Sequence, residues 1–197
     1  MSLRIHGRRT LKSPPGYAIR PTSSRIRQSL FGILQDQVQD SRWLDLCCGA
    51  GTIGAEALSR GAALVVGVES SRAACATIHA NWAKMAPAAG STEILQGDAR
   101  HVLRRGLNGR LSGTKFDVIY LDPPYESPIY PQILPLLPSY LADHGFLFVE
   151  HSRRRELPNL IGDLKLISRR AIGQAILSVY RHSDLGRKES EVDLINE

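Results

Sequence analysis

Apolar residues along this chain gather in short runs, and between most runs they recur at helical spacing. The runs predict strands near 42–47, 64–68, 92–96, 116–121, 145–150, 164–169 and 175–181, with helical segments between most of them. Strand and helix alternate, which implies a mostly parallel sheet covered on both faces. Only Arg170-Ala171-Ile172-Gly173-Gln174 joins the last two strands, too short a link for a helical crossover, so an antiparallel hairpin is expected there. Upstream, Ile26, Leu30, Ile33 and Leu34 share one face of a helix predicted from about Ser23 to Gln37, while Arg25 and Gln28 point elsewhere. Thr22 or Ser23 can cap its start. Pro128, Pro131, Pro135 and Pro138 predict a short or kinked helix after the fourth strand.

Length and charge narrow this picture. A chain of 197 residues suffices for one α/β domain with an appendage. The expected division is a basic arm at 1–22, a domain at 23–181 and a tail at 182–197. The net charge of +6 is unevenly spread: the first 35 residues hold seven bases and no acid, leaving eighteen bases against nineteen acids in the remainder. A positive arm on a nearly neutral body suits a polyanion, although a solvated tail or a transit peptide has the same composition. The amphipathic helix argues against a transit peptide. No apolar run is long enough to cross a membrane and the first twenty residues lack a secretion core, so a cytoplasmic location is expected. Cys47, Cys48 and Cys75 are too few and wrongly spaced for a tetrahedral zinc site; reduced thiols and no metal are expected.

Candidate chemistry begins after the first strand. Trp43-Leu44-Asp45-Leu46 leads into Cys47-Cys48-Gly49-Ala50-Gly51-Thr52-Ile53-Gly54 and then into good helix formers, a strand, glycine loop and helix placed where open α/β sheets hold nucleotide-like cofactors. Gly49-x-Gly51-x-x-Gly54 also fits a dinucleotide fingerprint, which alone is a weak signal. Asp45 discriminates: inside the strand it could attract a cationic amino group and would repel a pyrophosphate, favouring S-adenosylmethionine over NAD. Glu69, eighteen residues after Gly51 and followed by Ser70, stands where an acid grips two ribose hydroxyls. Asp98, preceding Ala99, could accept from an adenine amine. Each acid alone could instead brace a loop, face solvent or cap a helix, but all close successive strands.

The fourth strand ends in Asp122-Pro123-Pro124-Tyr125. An Asp-Pro turn is one reading. The other is a site for a planar amine, whose lone pair is delocalised into its ring. The Asp122 carboxylate and the Pro123 carbonyl could each accept one N–H and draw that lone pair out, with the prolines fixing the carbonyls and Tyr125 stacking on the base.

These motifs, in this order, resemble those of class I S-adenosylmethionine-dependent amino-methyltransferases. More narrowly, Arg20-Pro21-Thr22 with Arg25-Ile26-Arg27-Gln28-Ser29-Leu30-Phe31, the phrase Glu56-Ala57-Leu58-Ser59-Arg60-Gly61-Ala62, and Gly173-Gln174 resemble the bacterial family that methylates the N2 amine of a guanine in small-subunit (16S) ribosomal RNA. The resemblance runs from about Arg4 to Arg181. It implies a Rossmann-like class I methyltransferase fold, an α/β seven-stranded mostly parallel sheet with a C-terminal antiparallel hairpin and helices on both faces. It also implies S-adenosylmethionine held by Asp45, Cys47, Gly49, Gly51, Glu69, Ser70, Asp98 and Ala99, and catalysis at Asp122, Pro123, Pro124 and Tyr125. Ribosomal RNA or the small subunit would be the partner of a monomer, docked through Arg4, Arg8, Arg9, Lys12, Arg20 and Arg25. The segment Ile5 to Lys12 is shorter than the family's usual basic arm, and Cys47-Cys48 replaces its usual aromatic or apolar residue. The Asp-Pro-Pro-Tyr motif is shared with DNA adenine-N6 methyltransferases, a rival disfavoured by the lack of a DNA-reading insertion. A glutamine-N5 methyltransferase would have Asn at Asp122. An NAD-dependent oxidoreductase and a non-enzymatic RNA-binding module are the rivals from other classes.

Overall fold

The computed structural model of the protein describes residues 2–5, 10–14, 22–85 and 91–183. Strands Ser2–Arg4 (β1) and Thr10–Lys12 (β2) pair antiparallel as a separate two-stranded sheet. The main sheet contains Arg42–Leu46 (β3), Leu64–Glu69 (β4), Thr92–Gln96 (β5), Phe116–Leu121 (β6), Leu141–Ser152 (β7), Leu160–Ile161 (β8), Leu164–Ile172 (β9) and Ala175–His182 (β10), in the order β5-β4-β3-β6-β7-β10-β9-β8. Strands β3 to β7 pair in parallel; β10 runs antiparallel to both β7 and β9. Helices Ser24–Leu34 (α1), Thr52–Ser59 (α2), Arg72–Trp82 (α3), Ala99–Arg105 (α4) and the single turn Tyr130–Ile133 (α5) cover the two faces.

Alternate strand residues feed two apolar layers. Trp43, Val65, Tyr120 and Phe148 meet Ile26, Leu30, Ile53 and Trp82 from α1 to α3. Leu44, Val66, Ile119 and Leu147 meet Leu103, Tyr130 and Ile133 from α4 and α5. Burial on both faces is why these strands read as continuous apolar runs rather than as alternating patterns.

Two expectations need correction. The sheet has eight strands, not seven, because Leu160–Ile161 folds back on β9 through Gly162, whose φ of +60° suits glycine. A two-residue strand is too short to leave a periodic signature. Helix α1 stops at Leu34, three residues early, because Gln35 turns to φ 40° and a 3-10 turn follows over Gln35–Val38. The Ser23 hydroxyl is the cap, accepting from Ile26 N at 3.2 Å. After β6 the prolines permit only the turn of α5 and a 3-10 segment, Leu134–Ser139, as expected. The C-terminal hairpin forms, with its turn trimmed to Gly173 and Gln174.

Buried polar contacts fix the upstream elements. Arg27 Nε donates to Glu56 Oε2 at 3.0 Å and Nη1 to the Thr22 carbonyl at 2.7 Å, while Arg60 Nη2 reaches Glu56 Oε1 at 2.8 Å. This joins α1 to α2. Asn81, fully buried on α3, donates to the carbonyl of Lys12 and accepts from its N–H, both at 2.9 Å, so it pairs with β2 as a neighbouring strand would. Among the described residues no helix is long and apolar enough to cross a membrane.

From β3 the chain proceeds outward through β4 to β5, then returns to place β6 on the other side of β3. The carboxyl ends of β3 and β6 therefore flank the topological switch point, where such sheets leave a crevice for ligands.

Candidate active site

Register places three residues in a row at that crevice. Leu46 pairs with Val68 on one side and Leu121 on the other, so the next residue of each strand is Cys47, Glu69 and Asp122. With adjacent strands about 4.8 Å apart, Glu69 and Asp122 lie roughly 10 Å from one another across Cys47. That separation can be bridged by one nucleoside-sized molecule.

The glycine loop is held from beneath. Asp45, 1 % exposed, accepts from Gly54 N at 3.2 Å, satisfying an orphan N–H in the first turn of α2. Burial pushes its carboxyl up to about 7, opposed by that hydrogen bond and assisted by the negative charge of Glu69. Cys47, Gly49 and Gly51 all have positive φ, at 61°, 54° and 68°. A Cβ on Gly51 would stand 2.8 Å from Trp82 Nε1, and one on Gly54 would stand 2.2 Å from Trp82 Cζ2. These two glycines make room for the indole, whose N–H donates to Gly51 O at 2.8 Å. Asn81 also reaches Ala50 O at 3.4 Å, so β2 and the loop share one anchor.

Glu69 is buried and organised by its own loop. Its Oε1 accepts from Ser71 N at 2.8 Å and Ser70 Oγ at 3.3 Å, and its Oε2 from Gly49 N at 2.9 Å. Asp98 caps α4 and takes a two-pronged grip from Arg100, at 2.9 Å and 2.6 Å. The Arg100 hydrogen bonds hold its carboxyl down to about 2 against a modest cost of burial. Arg100 Nη1 continues to Gln132 Oε1 at 3.1 Å, tying α4 to the segment that follows the Asp-Pro-Pro-Tyr loop. Ala99 is buried at the start of α4, whereas Ser70 is exposed. Burial, and then the negative charges of Glu69, Asp122, Asp45 and Asp98, push the Cys47 thiol up to about 12. The Cys47 thiol is thereby held in its neutral form at neutral pH.

The Asp122 loop is anchored from the opposite side. Asp122 N donates to Leu46 O at 3.4 Å, and its Oδ2 accepts from Thr22 Oγ1 at 3.5 Å. Pro123 is buried, Pro124 exposed, and no described residue donates to the Pro123 carbonyl. Tyr125 is half-buried; its hydroxyl donates to Glu150 Oε1 at 2.9 Å, and Tyr120 donates to Glu150 Oε2 at 2.6 Å. Arg155 donates to Tyr125 O at 3.1 Å and Ser127 O at 3.2 Å while its guanidinium lies 4.4 Å from the centre of the Tyr130 ring.

All the residues singled out for cofactor and catalysis therefore stand on one edge of the sheet. Of those singled out for RNA, Lys12 and Arg25 are exposed and the backbone of Arg4 lies in β1; Arg8, Arg9 and Arg20 fall outside the described residues. Arg27, one of the seven bases of the first 35 residues, is spent in the buried pair with Glu56. Sequence reasoning missed Glu150, Arg155, Arg100, Asn81 and the contact of Thr22 with Asp122. Glu150 offered a signal, since it closes a predicted strand just as Asp122 does.

Comparison with known proteins gives a consistent picture. The family described as Conserved hypothetical protein 95 matches residues 3–181. A Bacillus subtilis protein named "Putative rRNA methyltransferase YlbH" is 31 % identical over 175 residues, covering 88 % of this chain and 93 % of that one. Ribosomal RNA small subunit methyltransferase D of Escherichia coli K12 is 28 % identical over 185 residues, 93 % of this chain and 89 % of that protein. Among solved structures, "Putative methyltransferase yhhF from Escherichia coli" superposes with a TM-score of 0.78 at 29 % identity, covering 92 % of this chain and 98 % of the other. The fold is the Rossmann-like one of class I methyltransferases.

Proposed function

On the premise that this chain belongs to the Conserved hypothetical protein 95 family, we propose that it transfers a methyl group from S-adenosylmethionine to the exocyclic N2 amine of a guanine in small-subunit ribosomal RNA. The relatives named as ribosomal RNA methyltransferases support the reaction class and the substrate class. The observation that carries the reading is the aligned row of Glu69, Cys47 and Asp122 at the switch point, with the Pro123 carbonyl accepting from no donor among the described residues.

The residues fit the donor. Asp45 is a buried carboxylate to which no cationic side chain among the described residues is bonded, beneath a loop whose backbone opens at three positive φ angles, so it suits an ammonium better than a pyrophosphate. Glu69 keeps one lone pair, on Oε2, for a ribose hydroxyl after its three loop contacts are counted, and Ser70 lies beside it. Asp98 has one lone pair left for an adenine amine once Arg100 is satisfied. When bound, S-adenosylmethionine supplies an electrophilic methyl carbon on a sulfonium.

The chain's own residues orient the acceptor. Asp122 and the Pro123 carbonyl each accept one N–H of the guanine amine, turning its lone pair out of the ring plane and toward the donor, about 3 Å away. Tyr125, fixed by Glu150 below and Arg155 behind, presents its ring to the base. As the new C–N bond forms at the expense of the methyl–sulfur bond, the amine carries an extra proton, which Asp122 passes to water. The base must leave its stack or already lie in a loop to enter this edge.

The test is to incubate the protein and labelled S-adenosylmethionine with ribosomal RNA and with assembled small subunits from a strain lacking the modification, then map the label by mass spectrometry. Label on guanine N2 is the expected result. Label on adenine N6 of DNA, or none on any nucleic acid, would overturn the reading.

A further inference from the structure

Strand β7 runs parallel to β6, with Leu121 opposite Val149, so the chain leaves Ser152 on the same edge of the sheet as Asp122. It then turns through Arg153, Arg154 and Arg155. The three arginines do different things. Arg155 is committed to the carbonyls of Tyr125 and Ser127 and to the face of Tyr130. Arg153 and Arg154 are exposed, and among the described residues neither side chain makes a hydrogen bond or ion pair. Their position is nonetheless fixed: the turn is closed by Arg155 N donating to Ser152 O at 3.1 Å, and Arg153 N reaches Gln174 O at 3.4 Å in the tip of the β9–β10 hairpin.

Two unpaired guanidinium groups are thus mounted on a braced turn whose third arginine holds the catalytic loop itself. An Arg exposed only to water is ordinary; two held on the sheet edge that carries Asp122 match the phosphates on either side of an extruded nucleotide, which guanidinium forks bind in two-pronged fashion. The described strand of the basic arm, β2, lies elsewhere, clamped to α3 on the β4 side of the crevice. We propose that Arg153 and Arg154 form a second RNA-binding element, a phosphate clamp on the β7 flank of Asp122, so that the strand carrying the target base is gripped on both sides of the pocket. The clamp rests on the reading of the protein as an RNA methyltransferase and adds the residues that hold the backbone next to the target.

The experiment compares wild type, R153Q/R154Q and R153K/R154K in binding fluorescein-labelled single-stranded RNA across a salt series, alongside S-adenosylmethionine affinity, melting temperature and methylation kinetics. Loss of two phosphate contacts should weaken RNA binding about tenfold and flatten the log–log salt slope by about 1.4. KM for RNA should rise with kcat nearly unchanged. The lysine variant keeps the charges and should keep the slope while losing part of the affinity. An unchanged slope and affinity in R153Q/R154Q overturns the clamp, as does a matching fall in cofactor affinity or melting temperature, which marks a structural role. A protein that loses slope on substitution yet methylates no RNA sustains the clamp and sinks the enzymatic reading; wild type that binds no RNA sinks both.

Discussion

At the scale of single residues, the proposed reaction separates groups that would bond the substrate from groups that hold those in place. Asp122 belongs to the first kind. Its replacement by Ala should lower kcat by at least about a hundredfold, the size of losing one oriented charge-stabilising contact, while S-adenosylmethionine affinity stays within a few fold; calorimetry beside single-turnover assays checks both. Asp45 gives a second test through pH. Its carboxyl is pushed up to about 7, so the folded state holds that proton more tightly than the unfolded chain does. The resulting stability is present at acid pH and is withdrawn as pH rises from the ordinary carboxylate range through about 7. Asp45→Asn should therefore gain in melting temperature relative to wild type between pH 5.5 and pH 8. An ammonium in the site favours the ionised form, so cofactor affinity in wild type should rise between pH 6 and pH 7.5 and stay flat in the Asn variant. A wild-type profile as flat as the variant's would remove Asp45 from the amino group.

At the scale of elements, one ion-paired cluster decides where α1 sits and hence where Thr22 meets Asp122. Glu56 accepts from Arg27 and Arg60 in a setting where the Arg27 and Glu56 side chains are only 10 % and 6 % exposed. Glu56→Ala would strand a buried guanidinium and should cost about 3–5 kcal/mol in denaturant unfolding. Glu56→Gln, which keeps acceptors and packing, should cost less. None of this was legible in the sequence, where Arg27 and Glu56 stand twenty-nine residues apart, because their burial exists only once α1 is docked on α2. The larger strands were legible for the opposite reason: a sheet covered on both faces needs apolar residues at every position, which writes a run into the sequence without reference to any partner. The glycine loop and the Asp-Pro-Pro-Tyr turn were legible because few residue types tolerate their backbones. Glu150 stayed hidden because its tyrosine partners lie 25 and 30 residues away, and a carboxylate at a strand end looks the same whether it meets phenols or water.

At the scale of the whole molecule, charge and connectivity bear on how the proposed RNA engagement would reach the proposed donor site. The first 35 residues carry seven bases and no acid, while the rest is close to neutral. Asn81 bonds both Lys12 backbone groups and, at 3.4 Å, the Ala50 carbonyl of the glycine loop, so β2 and the loop rest on one side chain. If four arm side chains engage single-stranded RNA, log affinity should fall with log salt at a slope of about −3. Asn81→Ala would remove both Lys12 bonds and free β2 from α3, leaving every arm charge in place. Long-range attraction should then survive, with the salt slope nearly unchanged, while KM for RNA rises several-fold because a loosened strand must be ordered on binding. The same variant should weaken S-adenosylmethionine binding by a smaller factor, through the Ala50 contact alone. Equal losses in both affinities would make Asn81 a support of the glycine loop rather than a link to the arm; a collapsed salt slope would mean that the arm's charges act only when β2 is clamped.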